Sequence, residues 1–414
     1  MIRPQTLKGF RDFLPSEARK RQYAIDILKK VFESYGFEPL ETPALEYEEV
    51  LLGKYGDEGD KLMYRFTDRG DRKVALRYDQ TVPLARVVAQ YQNELPMPFK
   101  RYQIQNVWRA DNTQKGRFRE FMQCDIDTVG TNSLLADAEI IEVTSASLKA
   151  LGFKDFKILI NDRKTFSQLN KQGFVTDKDL VKAIRSLDKI KKIGEKGILE
   201  DLQKNGFSKE ISKAIVENAK KLKESDDILL ISKILEQLGL RKSEEFIFVP
   251  ELARGLDYYT GLIFEVEIKD YDVGSVCGGG RYDNLIGMFA GKQIPAVGCA
   301  FGFDRLIEAM DALNLFPKDL QTTKVLVTVF SKELLDKSIA VCEILSKNGI
   351  NQELYLDTES KLEKQLKYAD KKGIPYAIII GPNEASKNMV TLRNMKTREQ
   401  KTVSLEEVLP ILNK

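Results

Sequence analysis

Side chains that could bind a charged ligand alternate along residues 119–127. Successive side chains of a β-strand point to opposite faces. The two predicted faces therefore differ: one carries Arg119, Phe121, Gln123, Asp125 and Asp127, and the other carries Met122, Cys124 and Ile126. The apolar face should lie on a core. The polar face could bind a ligand, or it could face solvent in an antiparallel sheet, and the alternation leaves both interpretations open.

Arginines surround this segment, at Arg101, Arg109, Arg117 and Arg119. A planar guanidinium group matches phosphate oxygens through two parallel hydrogen bonds. The cluster therefore suits a phosphate ligand, although any one of these arginines is better explained as a solubilising surface charge.

Glycines lie close to charged and aromatic residues in two later segments. Gly278–Gly280 precede Arg281 and Tyr282, and glycines let a backbone approach a ligand closely. Alone, these glycines predict a tight turn. Gly298 and Gly302 precede a predicted helix at 303–314, where their spacing usually indicates close helix packing.

The sequence contains no histidine. This excludes a serine–histidine–aspartate triad, a cysteine–histidine pair, HExxH zinc chemistry and a histidine general base. Carboxylates, arginines, lysines and hydroxyls remain, and they suit phosphoryl or nucleotidyl transfer, in which positioning and charge stabilisation supply most of the acceleration.

The cysteines and the apolar segments predict a cytoplasmic protein. The four cysteines are far apart and form no CxxC pair, which indicates neither a zinc site nor a disulfide framework. No apolar run is long enough to span a bilayer, and the first residues lack a signal-peptide core.

The elements around these residues predict a strand-rich first part of the chain. Patterns typical of strands at 99–110 and 119–130 flank a polar loop and predict an antiparallel hairpin. Helices are predicted at 16–36 and 134–151, and the stretch between the first helix and Gly130 is predicted to be rich in strands.

The remainder divides into a helical segment and an α/β tail. Residues 165–245 are rich in Lys, Glu, Leu and Ile at helical spacing and predict a small helical insertion. A break near Pro317 predicts a domain boundary. Beyond it, a βαβαβ order predicts an α/β domain. We therefore expect domains at 1–321 and 322–414, in a chain of 414 residues.

A series of motifs resembles histidyl-tRNA synthetases, a class II aminoacyl-tRNA synthetase family, in the same order. The motifs are KGFRDFLP (8–15), ETPALE (41–46), LRYDQT (76–81), VWRADNTQKGRFREFMQCDIDTVG (107–130), RGLDYYTG (254–261), GGGRYD (278–283) and AVGCAFGFDRL (296–306). RGLDYYTG and GGRYD are highly specific to the family and its close paralogues. The resemblance implies an antiparallel-sheet catalytic domain with a helical insertion, followed by a C-terminal α/β anticodon-binding domain.

The resemblance also implies an ATP site. Its residues would be Arg109, Asp111, Arg117, Phe121 and Arg305. Arg109 matches the arginine that holds the α-phosphate and the amino-acid carboxylate, and Arg254 matches the family's catalytic arginine on the opposite side of that phosphate. Phe121 matches the ring that stacks on adenine, whereas Asp111 stands where the class usually has a glutamate. ATP would be a substrate accompanied by Mg²⁺, with no metal held by a dedicated protein site.

A histidine site and a tRNA contact follow from the same resemblance. The histidine-binding residues would be Asp79, Gln80, Thr81, Arg109, Gln123, Asp127, Arg254, Tyr258, Tyr259 and Tyr282. Asp127 should accept the imidazole N–H, or it could instead pair with a nearby cation or cap the turn at Gly130. Gln114 and Lys115 would contact the acceptor end of the tRNA.

The resemblance leaves two functions to weigh. The first is a histidine–tRNA ligase that forms histidyl-adenylate and then charges its tRNA, as a homodimer joined through the ETPALE motif. The second is a non-catalytic, histidine-sensing regulatory paralogue of the ATP phosphoribosyltransferase system. Such paralogues typically lose catalytic residues and the C-terminal domain, whereas this chain retains Arg109, Arg254, Arg305 and the α/β tail. We therefore expect the ligase.

Overall fold

The computed structural model describes residues 2–54, 56–113, 116–255, 258–271 and 273–413. Gln114 and Lys115, which are expected to contact tRNA, lie outside the described residues. The chain divides into two compact units, Met1–Phe316 and Pro317–Lys414. This division falls at the proline-containing break, a few residues before the expected boundary at 321. Within the described part of the chain, no helix combines the length and apolarity that crossing a membrane requires.

The strands of the first unit build two sheets. In chain order they are β1 (Glu38–Pro39), β2 (Leu45–Tyr47), β3 (Arg65–Thr67), β4 (Lys73–Leu76), β5 (Phe99–Trp108), β6 (Glu120–Val129), β7 (Phe156–Asp162), β8 (Phe246–Phe248), β9 (Leu262–Ile268), β10 (Cys277–Arg281) and β11 (Ala296–Gly302). The large, mostly antiparallel sheet has the order β1-β5-β6-β11-β10-β9-β7-β8, and β2, β4 and β3 form a small separate sheet.

The helices of the first unit include those predicted from the sequence. In chain order they are α1 (Pro15–Ser34), α2 (Glu48–Leu51), α3 (Gly56–Lys61), α4 (Thr81–Gln90), α5 (Leu134–Ala150), α6 (Ser167–Lys171), α7 (Asp177–Leu187), α8 (Ile190–Lys204), α9 (Lys209–Ala219), α10 (Asp226–Gln237), α11 (Gly287–Ala290) and α12 (Phe303–Ala312), with a 3₁₀ turn at Arg163–Phe166. Helices α6 to α10 lie within the segment 165–245, which was predicted to be a helical insertion.

The predicted hairpin is confirmed. Strands β5 and β6 pair antiparallel from Phe99↔Val129 to Trp108↔Glu120. Cys124 and Ile126 are fully buried in a core shared with α1 and α5, because alternation turns every second side chain of β6 towards those helices. On the opposite face Gln123, Asp125 and Asp127 are also buried. The interpretation of this face as a solvent-exposed polar surface is therefore wrong.

The stretch up to Gly130, which was predicted to be rich in strands, contains β1 to β6 and also helices that were not predicted, of which the longest is α4. Its residues Val82, Leu84, Ala85 and Val88 are buried, and they pack in a second core. A short apolar run fits either a buried strand or a buried helix, so periodicity does not separate the two.

The second unit is an α/β domain. Its elements are β12 (Val325–Val327), a 3₁₀ turn at Lys332–Leu334, α13 (Leu335–Lys347), β13 (Gln352–Leu354), α14 (Leu362–Lys372), β14 (Tyr376–Ile379), α15 (Pro382–Lys387), β15 (Val390–Asn394), β16 (Gln400–Val403) and α16 (Leu405–Leu412). The sheet order is β13-β12-β14-β15-β16. The strand β12 is parallel to β13 and β14, and its buried Val325 and Val327 belong to a core of the unit's own.

Candidate active site

A cavity of about 360 Å³ lies over one face of the large sheet. It gathers most of the residues that were proposed from the sequence. Those on its wall are Asp79, Thr81, Arg109, Asp111, Arg117, Phe121, Gln123, Asp127, Arg254, Tyr258, Tyr259, Tyr282 and Arg305. Residues separated by more than two hundred positions in the sequence therefore share one wall, because the sheet places β11 between β6 and β10.

Glycines on β10 and β11 make room for three of these side chains. A Cβ built on Gly278 would lie 1.9 Å from Arg254 Nη1, and one built on Gly298 would lie 1.9 Å from Asp127 Oδ1. A Cβ on Gly280 would lie 2.9 Å from Tyr259 Cδ1. The side chains of Arg254, Tyr259 and Asp127 thus occupy the space above a glycine floor.

Two predictions about glycines were wrong. The structure has no turn at Gly278–Gly280, and Gly298 and Gly302 belong to a strand and not to a helix contact. Gly278–Gly280 lie inside β10, and Gly298 and Gly302 lie inside β11. Gly280 is paired with Gly298, which is paired in turn with Asp127. These positions share one face of the sheet, so the glycines open that face to the cavity.

Asp127 is buried at the end of this row. Its Oδ2 lies 2.6 Å from Arg101 Nη2, and its Oδ1 accepts a hydrogen bond from the Tyr282 hydroxyl. Burial raises the pKa of Asp127, and Arg101 and Tyr282 act in the opposite direction. Asp127 therefore pairs with a nearby cation, as one interpretation of the sequence held, and it also lines the cavity.

Arg254 is held from several sides. Its Nη1 lies 3.2 Å from Glu265 Oε1 and 3.4 Å from the carbonyl oxygen of Phe264. Although burial acts to lower it, the pKa of Arg254 is raised because Tyr259 and Glu265 favour the charged form. Arg254 is consequently cationic at neutral pH.

A residue of the helical segment lies next to the same arginine. Asp188 follows α7, and a Cβ on Gly255 would lie 2.8 Å from its Oδ2. Burial raises the pKa of Asp188 to about 6, and the charge of Arg254 opposes this increase. The segment between β7 and β8 therefore places a carboxylate beside the loop that carries Arg254.

Arg109 lies between two aromatic rings on another part of the wall. Its Nε donates to the carbonyl oxygen of Tyr78 at 3.0 Å. Its Cζ is 4.4 Å from the Tyr78 ring centroid and 5.2 Å from that of Phe121. These contacts fix the guanidinium group while leaving it on the cavity wall.

The remaining arginines bring the number of guanidinium groups on the cavity wall to four. Arg305 Nη1 donates to the carbonyl oxygen of Ser275 at 3.1 Å. Arg117 Nη1 lies 3.9 Å from Asp111 Oδ1. Together with Arg109 and Arg254 they surround a space that suits a polyphosphate. Asp111 is thus next to an arginine as well as on the wall.

The segment 78–81 contributes unequally. Asp79 and Thr81 line the cavity, and Asp79 Oδ1 accepts a hydrogen bond from the backbone N–H of Val82. The Gln80 side chain is fully buried behind the wall and donates to the carbonyl oxygens of Gln105 and Gln123. Gln80 therefore ties the segment to the hairpin instead of facing the cavity, contrary to the expected contact with histidine.

Some residues of the cavity wall were not predicted from the sequence. Glu265, Cys277, Cys299 and Asp304 line the cavity without having been proposed. The available signal for Glu265 was a single carboxylate in the otherwise apolar run LIFEV at 262–266. Among the described residues, no cluster of three or more histidine, cysteine or acidic side chains could hold a metal ion.

Comparison with known proteins matches both units. A family model described as histidyl-tRNA synthetase matches residues 9–306, and one described as an anticodon binding domain matches residues 324–414. A histidine–tRNA ligase of Cytophaga hutchinsonii is 41% identical, with 99% of each chain covered. One of Wolinella succinogenes is 39% identical, covering 100% of this chain and 98% of that protein.

Solved structures give the same result. The crystal structure of a histidyl-tRNA synthetase from Nostoc sp. has a TM-score of 0.84 and 32% identity, covering 100% of this chain and 99% of that chain. A Bacillus halodurans structure, described as an ATP phosphoribosyltransferase regulatory subunit/histidyl-tRNA synthetase, has a TM-score of 0.70 and 24% identity. It covers 88% of this chain and 96% of that chain, and this likeness shows the fold alone.

Proposed function

Because the chain belongs to the histidyl-tRNA synthetase family, we propose that it is a histidine–tRNA ligase whose active site is the cavity described above. It activates L-histidine with ATP and transfers the histidine to the 3′ end of its tRNA. The observation that carries this proposal is that one wall holds Arg109 and Arg254, which suit a phosphate, together with Asp127, which suits an imidazole N–H.

Histidine would bind over the glycine floor. The buried carboxylate of Asp127 can accept the imidazole N–H, while Tyr259 and Tyr282 form the sides of a flat slot. Asp79 and Thr81 would supply oxygen atoms for the α-amino group, which carries donors and no acceptor when it is protonated. Gln123 would line the imidazole part of the pocket. Gln80 acts indirectly by holding the segment 78–81 against the hairpin.

ATP would bind with its adenine on Phe121 and its phosphates among the arginines. A carboxylate oxygen of histidine attacks the α-phosphorus, the bond to the bridging oxygen breaks, and pyrophosphate leaves with that electron pair. Arg109 and Arg254 stabilise the charge that grows on the α-phosphate oxygens. Arg117 and Arg305 neutralise the leaving pyrophosphate.

Magnesium fits this site as an ion that arrives with ATP. Nucleotide enzymes commonly hold Mg²⁺ through one or two carboxylates and the phosphates themselves. Glu265, on the wall beside Arg254, is the side chain that would join the phosphate oxygens in holding it. When bound, the ion adds positive charge to the leaving pyrophosphate.

Transfer to tRNA needs no protein nucleophile. A terminal ribose hydroxyl of the tRNA attacks the carbonyl carbon of the adenylate, and AMP leaves. Gln114 and Lys115, in the loop between β5 and β6, remain candidates for contacts with the acceptor end. The second unit would bind the anticodon, which the match at residues 324–414 supports.

A homodimer is supported by an exposed apolar face of the small sheet. Leu45, Tyr47 and Phe66 are 42%, 53% and 48% exposed. Tyr47 and Phe66 both oppose Val74 in register, so their side chains share one face. We assign this face, which includes part of the ETPALE motif, to the contact with a second copy. A cytoplasmic location is consistent with cysteines that are all free and buried.

The test is ATP–pyrophosphate exchange measured with each standard amino acid in turn. Histidine should support exchange and no other amino acid should do so at comparable efficiency, and the protein should then charge a histidine-accepting tRNA. Binding of histidine without exchange would instead favour the regulatory paralogue.

A further inference from the structure

A fully buried arginine lies behind the proposed histidine pocket. Arg101 is 0% exposed, and its position on β5 is paired directly with Asp127 on β6. Arginine is almost never fully buried unless it is paired. The carboxylate that pairs with Arg101 is that of Asp127, at 2.6 Å, and Asp127 is 3% exposed.

The two members of this pair differ in what they reach. Asp127 lines the cavity, whereas Arg101 does not. On the other side of Asp127 its paired neighbour is Gly298, whose missing side chain leaves the space that Oδ1 occupies. Arg101 therefore contacts the carboxylate from the side away from the ligand. Its Nη1 donates to Gln103 Oε1 at 3.2 Å, which fixes the guanidinium group from β5.

The charges around Asp127 explain why it needs this partner. The charged and titratable groups that act on it or lie beside it are Arg101, Tyr282, Tyr259, Asp79 and Asp125. Burial and the carboxylate of Asp79 both favour a protonated Asp127. Of these groups only Arg101 carries a positive charge.

From this arrangement, and resting on the proposed function, we infer that Arg101 is a positioning residue that keeps Asp127 ionised and oriented, so that Asp127 accepts the imidazole N–H of histidine. An ionised carboxylate is an acceptor on both oxygens, whereas a protonated one also carries a donor. Removing Arg101 raises the pKa of Asp127 further, because the nearby positive charge that favours the ionised form is lost, and the pocket loses part of its selectivity for a ring with an N–H.

The experiment compares three single variants with the wild-type protein. Arg101→Leu removes the charge, and Arg101→Lys keeps the charge but not the planar fork. Arg281→Leu is the matched control, because Arg281 forms another buried pair, with Asp137, and does not line the cavity. The Kd of histidine is measured by calorimetry between pH 7 and pH 9, beside the KM of ATP in pyrophosphate exchange.

Arg101→Leu should weaken histidine binding by at least about tenfold at pH 7, the value of a hydrogen bond to a charged group. The ratio of variant to wild-type Kd should shrink towards pH 9, because a higher pH favours the ionised form of Asp127 in the variant. Arg101→Lys should recover part of the affinity, and the KM of ATP should be unchanged. Arg281→Leu should lower thermal stability and give a Kd ratio that does not vary with pH.

A Kd ratio for Arg101→Leu that stays constant with pH, or an equal loss of affinity for ATP, would overturn the inference. If Arg101→Leu does not fold, the double variant Arg101→Leu/Asp127→Asn removes both buried charges and is the variant measured. It should bind histidine weakly, with no pH dependence relative to wild type, and wild-type affinity would refute the role of the pair.

Direct binding separates this inference from the proposed function. If the wild-type protein binds histidine without supporting exchange, the ligase proposal fails while the Arg101 variants still decide the inference. If exchange occurs normally but the Arg101 variants bind histidine as well as wild type, only the inference fails. A wild-type protein that does not bind histidine would refute both.

Discussion

Replacing Gly278 by alanine should displace Arg254, the proposed catalytic arginine, without unfolding the protein. The new Cβ would lie 1.9 Å from Arg254 Nη1 and 2.8 Å from its Cζ. Carbon and nitrogen atoms that are not bonded pack at roughly 3.5 Å, so the guanidinium group must retreat by about 1.5 Å. Because the obstructed atoms are the end of a side chain, the backbone of β10 can remain in place.

The displacement can be converted into a rate. A misplacement of about 1 Å in a catalytic group lowers a rate by roughly a hundredfold. The kcat of adenylate formation should therefore fall by about a hundredfold, which corresponds to about 2.7 kcal/mol of lost transition-state stabilisation. The KM of histidine should change much less, because Arg254 meets the growing charge mainly in the transition state.

Pyrophosphate exchange gives kcat and KM, and thermal unfolding of the same preparation reports stability. Gly302→Ala is the matched control, because it also lies in a strand at the cavity and its new Cβ would be 3.7 Å from the nearest atom, the carbonyl oxygen of Val276. That variant should keep most of the exchange activity. Wild-type kcat in Gly278→Ala would refute the assigned position or role of Arg254. Equal losses of stability and activity would show that β10 itself had been distorted.

Other perturbations test the remaining parts of the site. Arg254→Ala should raise the barrier to adenylate formation by about 3–4 kcal/mol, as loss of one oxyanion-hole donor does, and a kcat within a few-fold of wild type would remove Arg254 from the catalytic residues. Asp127→Ala should raise the KM of histidine by about ten- to a hundred-fold with little change for ATP, and lowered stability with an unchanged KM would leave Asp127 a purely structural role. Asp188, whose pKa burial raises to about 6, is ionised above that pH and protonated below it, so wild-type exchange should decline as pH falls through 6. The ratio of the Asp188→Asn rate to the wild-type rate should therefore rise as the pH falls through 6, and a constant ratio would show that Asp188 does not support Arg254. A chain ending at Phe316, the end of the first compact unit, should form adenylate but charge tRNA poorly, and equal charging would separate the second unit from tRNA recognition.

The sequence was most informative where a pattern was local. Alternation along 119–127 predicted a strand with an apolar face, and Cys124 and Ile126 are buried as expected. The same alternation grouped Phe121, Gln123 and Asp127, which all line the cavity. A period of two residues fixes which side chains share a face, and no knowledge of neighbouring strands is needed for that step.

Features that depend on register between distant strands could not be predicted in this way. Gly298 matters because it is paired with Asp127, and Gly278 matters because Arg254 lies above it. Neither contact can be inferred from a few consecutive residues. The patterns near each glycine therefore predicted a turn and a helix contact instead. The burial of the Gln80 side chain behind the cavity wall was not predicted for the same reason, because its hydrogen-bond partners are backbone oxygens of β5 and β6.

The strand order of the large sheet has a consequence for biosynthesis. On the side of the pocket, β6 pairs with β11, so Gln123–Val129 lie beside Ala296–Gly302. On its other side β6 pairs with β5 across a short loop, so that pairing is local in sequence. In chain order β11 is the last strand of the large sheet. The strand that completes the surroundings of Asp127 is therefore also the last strand of that sheet to be synthesised.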